Sequence, residues 1–158
     1  MSHLDPKQYL MDGLEGAKKR FVQDLEALSD EQLNEASGQG GRKPIDFVYE
    51  TGWVNRWMAD QIKGQEPQKW PWNDGWPTAP EDFNTKQNAI EEITNSIDEI
   101  KSALEEKSED DILTRFTEND RETSIFERAA IAMMHITYHD GQLNYIQAMS
   151  GDMEVNWK

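Results

Sequence analysis

The 158-residue chain predicts an all-α protein, a four-helix bundle. Three observations carry that expectation. Apolar residues recur at steps of three and four through four segments; capping and stop residues bracket those segments; and no segment shows sustained alternation, so strands are not required. At this length one domain, residues 1–158, is long enough to bury a real core.

The first helix starts at Asp5-Pro6, a capping side chain followed by a residue with preset φ and no N–H to satisfy. Leu10, Leu14, Ala17, Phe21, Leu25 and Leu28 then form one stripe, and Ser29 can cap a short extra turn. Pro44 opens the second helix, which runs to about Gly64 and buries Phe47, Val54, Met58 and Ile62. "GQEPQKWPWNDGWPTAP", 64–80, is too rich in Pro, Gly and Trp to be helical, and longer than most connections in compact domains. Its length permits a crossover between the second and third helices. Thr78 and Glu81 read as a capping box for a third helix that carries Phe83, Ile90, Ile93, Ile97, Ile100 and Leu104. A short apolar segment around Ile112 to Phe116 follows. Ser124 and Glu127 read as a second capping box, and the fourth helix runs to about Ser150, with Gly151 as its stop.

Sixteen basic against thirty-one acidic residues give a net charge of -15, which argues against a phosphate-binding surface and so against nucleic acid. The absence of cysteine removes disulfides, thiolate metal sites and a cysteine nucleophile. The N-terminal stretch lacks the apolar core of a signal peptide, and the longest apolar run, 129–134, is far too short to span a bilayer. A soluble, cytoplasmic protein with no membrane partner is expected.

The candidate chemistry lies in "MMHITYHDGQ", 133–142. His135 and His139 are four apart and therefore share a side of the helix, the side that also carries Ala132, Ile136, Leu143 and Ile146. Buried imidazoles need partners for their nitrogens. On the second helix Glu50 sits three after Phe47 and four before Val54, on the apolar stripe, where an isolated carboxylate is costly unless paired, protonated or bound to a metal. A metal held by Glu50, His135 and His139 between the helices would solve both problems. The metal-free alternatives are hydrogen bonds from the histidines to Glu50 or Asp46, and an ion pair between Glu50 and an arginine such as Arg128. His3, near the terminus, is set aside.

The two segments together resemble the DinB/YfiT-like superfamily of four-helix-bundle metalloenzymes. The last helix of that family carries His-x-x-x-His followed by Gly-Gln, as in "HITYHDGQLNYIQAMSG", 135–151. The second helix supplies a further histidine before an aromatic-rich stretch ending in glycine. "RKPIDFVYETGWVNRWMADQIKG", 42–64, fits that layout with Glu50 at the histidine's place, and Asp140 stands where arginine is common. The resemblance implies a divalent metal, zinc or nickel ahead of iron or manganese, since a carboxylate with two histidines is a workable ligand set. It also implies thiol-dependent transferase or hydrolase chemistry on a small molecule of unspecified identity. Gln142 could orient a ligand or substrate. Trp53 and Trp57, with Trp70, Trp72 and Trp76, could wall a pocket or else seal the bundle end or a subunit interface. Broad stripes, abundant Trp and the pairing common in related bundles predict a homodimer.

The second function class is a non-catalytic bundle, a binding or stress-related protein with a degenerate metal site. A ferritin-like di-iron centre is excluded, because neither His135 nor His139 has a glutamate three residues before it. If the histidines ligate a metal, acidification through the ordinary imidazole range, about 6.5, is expected to release it.

Overall fold

A computed structural model describes residues 4–36, 38–72, 75–118 and 120–157, so His3 lies outside the described residues. The chain runs α1 (Pro6–Ala27), α2 (Asp30–Asn34), α3 (Pro44–Lys63), α4 (Lys86–Glu105), α5 (Glu109–Leu113), β1 (Arg115–Glu118), β2 (Arg121–Ser124) and α6 (Ile125–Met149). The four long helices α1, α3, α4 and α6 form the expected bundle.

Local chemistry accounts for most boundaries. The Asp5 carboxylate accepts from the Gln8 N–H at 3.0 Å, and Ser29 and Gln32 form a reciprocal capping box on α2. Gly64, at φ 77°, ends α3 in the left-handed conformation that glycine adopts without strain. Ser124 caps α6 by accepting from the Glu127 N–H at 3.2 Å.

Two expectations fail. Thr78 and Glu81 do not start α4; Thr85 caps it, and the helix begins at Lys86. The reason lies in α3, whose Asp46 carboxylate accepts from the Ala79 N–H at 2.9 Å and ties that stretch to the bundle. Phe83 therefore packs in the loop, its ring centroid 5.1 Å from that of Tyr49. The second failure is the expectation that strands are not needed. Arg115–Glu118 and Arg121–Ser124 pair as an antiparallel hairpin, Glu118 opposite Arg121, with Asp120 between them at φ 61°. Aspartate tolerates the left-handed conformation, and Arg115 reaches the Glu122 carboxylate at 3.5 Å across the ladder.

α1 packs on α4 and α6, and α3 packs on the same two helices. α1 and α3 thus lie across the bundle's diagonal. The crossings are made by the segments containing α2 and α5, whereas the long loop joins the adjacent helices α3 and α4. The core is continuous, from Leu10, Leu14 and Phe21 through Val48 and Ile62 to Ile93, Ile97, Ile136 and Leu143. No described helix is long and apolar enough to cross a membrane.

Candidate metal centre

Helix packing of α3 against α6 brings the two misplaced polar faces together. Glu50 is 8 % exposed and His139 2 %, and one donor atom each of Glu50, His135 and His139 lies within 4.8 Å of the others. The two Nε2 atoms are 3.2 Å apart, and Glu50 Oε1 is 3.9 Å from His135 Nε2. Two donors each about 2 Å from one tetrahedral cation stand about 3.3 Å apart, so the group has the right size to hold a metal.

The surroundings keep both imidazoles neutral. Burial pushes His139 down to about 4, with the neighbouring His135 adding to the effect. Burial also lowers His135, against the opposing pull of the Glu50 carboxylate. His139 Nδ1 donates to Gln142 Oε1 at 2.7 Å, which leaves Nε2 as the unprotonated nitrogen facing His135 and Glu50. The Phe47 ring, one turn before Glu50, stacks on His139 at 5.3 Å and 10° and holds its plane. Donor chemistry, spacing and tautomer all fit a divalent cation.

Sequence reasoning missed Arg42. Its Nη1 lies 2.7 Å from Glu50 Oε2, its Nη2 donates to the Pro77 carbonyl at 3.1 Å, and Trp76 covers it at 5.0 Å from the ring centroid. The arginine considered for Glu50, Arg128, pairs instead with Glu118 of the hairpin. Asp46, weighed as a partner for the histidines, is engaged with Ala79. Arg42 stands in a break with no periodicity, eight residues before its partner, so only a signal such as "an arginine near a buried acid" could have raised it.

The tryptophans divide. Trp53 packs edge-on against Trp70 and Trp72, at 4.8 and 5.5 Å, beneath the long loop. Trp57 lines a separate surface groove with Gln61, Arg128 and Met134. The cavity next to the metal candidate is lined by other residues, among them Arg42, Phe47, Tyr138 and Gln142. Asp140, directly after His139, points the other way. It is 2 % exposed, and burial, with the Asp24 carboxyl of α1 beside it, pushes its carboxyl far above the usual range. Asp24 also accepts from Asn144 and, at 2.9 Å, from the Trp157 indole.

An all-α bundle with two neutral histidines and a carboxylate converging between helices defines the class: a helical bundle with a candidate mononuclear metal site. More specifically, a model of the DinB superfamily matches residues 14–143, and the chain belongs to that superfamily. Among solved structures it is similar to a conserved protein from Enterococcus faecalis, at 16 % identity and a TM-score of 0.74, covering 95 % of this chain and 100 % of that one. It is also similar to a DinB-like protein from Bacillus cereus, at 14 % identity and a TM-score of 0.67, covering 90 % and 91 %. No match was found among curated proteins.

Proposed function

We propose that the protein is a metal-dependent enzyme acting on a small molecule by thiol-dependent transfer or hydrolysis. In this reading Glu50, His135 and His139 hold a divalent cation, zinc or nickel before iron or manganese. The observation that carries it is a pair of neutral imidazoles, His139 buried and His135 partly so, whose Nε2 atoms face each other beside a carboxylate. A bound cation of this kind acidifies a water or thiol and polarises a carbonyl. The chain's own residues do the rest. Glu50 provides the single anionic donor, Gln142 sets the His139 tautomer, Phe47 fixes the ring plane, and Arg42 places a positive charge at the site's edge.

One observation favours the second reading, a non-catalytic bundle with a degenerate site. Arg42 already satisfies the charge of Glu50 without a metal. A calorimetric zinc titration of untagged, metal-free protein separates the two. One zinc per chain, lost in His135→Ala and His139→Ala and weakened in Glu50→Gln, supports the enzyme reading. No zinc uptake by the wild type rejects it in favour of the second.

A further inference from the structure

The cavity beside the metal candidate has a volume of about 320 Å³, at the small end of the range for organic ligands. Arg42 is the only charged residue among the described residues of its lining. In a chain of net charge -15, a cavity whose one ionised group is a cation is out of keeping with the rest of the surface. The guanidinium is also held in place. The Pro77 carbonyl anchors one nitrogen, while Trp76 and Phe47 lie 5.0 and 6.0 Å from the guanidinium carbon. Its Nε–H is buried and has no hydrogen-bond partner among the described residues.

We propose that Arg42 and this cavity bind the carboxylate of a small organic acid whose apolar body lies against Phe47, Tyr138 and Tyr145. The inference rests on the metal-dependent reading of the same site and names its substrate class. A planar fork of N–H donors matches a carboxylate, and a fixed fork loses little freedom on binding. At present Glu50 balances Arg42. With a cation held by Glu50, His135 and His139, Glu50 would no longer balance Arg42 alone, and the positive charge of Arg42 would be open to an anion. The walls are aromatic and half or more exposed at Tyr138 and Tyr145, so an apolar group enters from solvent. Gly141 supplies the depth: no atom lies within 4 Å of where its Cβ would stand. A leucine there fills the cavity without a backbone clash.

The test titrates short monocarboxylates, from acetate to phenylacetate, against the corresponding neutral amides, by calorimetry on zinc-loaded and metal-free protein. The Arg42 Nε–H signal is followed by NMR. We expect at least one acid to bind on the order of tenfold or more tighter than its amide, as a charge-assisted contact requires, and to shift the Nε–H signal. Arg42→Gln is expected to bring acid and amide to equal affinity, Arg42→Lys to keep part of the preference, and Gly141→Leu to weaken both ligands. Acid and amide binding equally in wild type, or a preference that survives in both Arg42 variants, overturns the proposal. Failure to bind zinc rejects the metal reading alone, since metal-free Glu50→Gln, which leaves Arg42 without the carboxylate that balances it, then decides the anchor by its acid-to-amide ratio. If Arg42→Gln does not fold, as judged by circular dichroism, Arg42→Lys and Gly141→Leu carry the decision.

Discussion

His139 Nδ1 lies 2.7 Å from Gln142 Oε1, one turn further along α6. An amide oxygen only accepts, so the imidazole proton is on Nδ1 and the lone pair on Nε2 faces Glu50 and His135. Metal affinity depends on such orienting bonds, whose loss costs roughly 10- to 100-fold. Gln142→Ala is therefore expected to weaken zinc binding by about tenfold or more while the melting temperature of the metal-free protein changes little. Equal zinc affinity in the variant would show that the tautomer is set by something else.

The acid response follows from burial of His139. Its folded pKa, about 4, is below the unfolded value of about 6.5. The unfolded chain therefore binds more protons in that window, and stability falls as pH drops from 6.5 towards 4. The loss is roughly 3 kcal/mol for the metal-free protein. Proton competition with a bound metal is displaced in the same direction, so release belongs below the range expected for a free imidazole. Urea melts of wild type and His139→Gln between pH 7 and 4 check this, with a flatter profile expected in the variant. Parallel profiles would remove His139 as the cause.

Asp140 has the opposite sign. Burial and the Asp24 carboxylate raise its folded pKa above the unfolded value of about 4. The folded chain then holds the extra proton, and this group's contribution to stability declines as pH rises above about 4. Asp140→Asn keeps a donor for Asp24 without the titration. It is expected to raise the melting temperature at pH 8 more than at pH 5. A variant less stable than wild type at both pH values would contradict a protonated Asp140 beside Asp24.

Gly52 on α3 is needed for a close approach. A Cβ there would run into the Glu92 carboxylate and its Cγ, where Glu92 reaches Arg56. Alanine gains up to about 1 kcal/mol of helix propensity, but forced overpacking costs about 1–3 kcal/mol. Gly52→Ala should be net destabilising by about 1 kcal/mol in chemical denaturation. Gly13 is the control, because its intruding neighbour is the flexible end of Met133. If Gly52→Ala matches Gly13→Ala, the Glu92–Arg56 arrangement is not constrained as described.

A homodimer through α6 is proposed on one feature. Ile131 and Met134, one turn apart on its outer side, are 43 % and 68 % exposed, away from the cavity lined by Tyr138 and Tyr145. Paired exposed apolar side chains of this size are candidates for burial against a second copy. Light scattering should give twice the 18.3 kDa chain mass, with Met134→Glu shifting the population to monomer. A monomer mass across a wide concentration range would end the idea.

The bundle and the three converging residues were legible because both are written in local periodicity. Glu50 and His139 stood out as polar groups on apolar faces, and they are buried as that placement requires. The hairpin was less legible: four residues per strand are too few for alternation to register, and Arg115 to Glu118 lie mostly in solvent. The start of α4 was misplaced because Thr78 has the right spacing for a cap, yet the competing partner of that stretch, Asp46, is thirty-three residues away from Ala79.

By itself the sequence determined which residues turn inward on each long helix, since 3.6-residue periodicity and capping chemistry are properties of neighbours along the chain. Tertiary structure alone decided which inward-facing groups meet. Arg42 rather than Arg128 reaches Glu50, and Asp140 shares its burial with Asp24 rather than with the metal candidate beside it. Those pairings depend on the diagonal placement of α1 and α3, on helix register, and on the path of the long loop. None of these has a local signature, because the groups that interact are joined only through space.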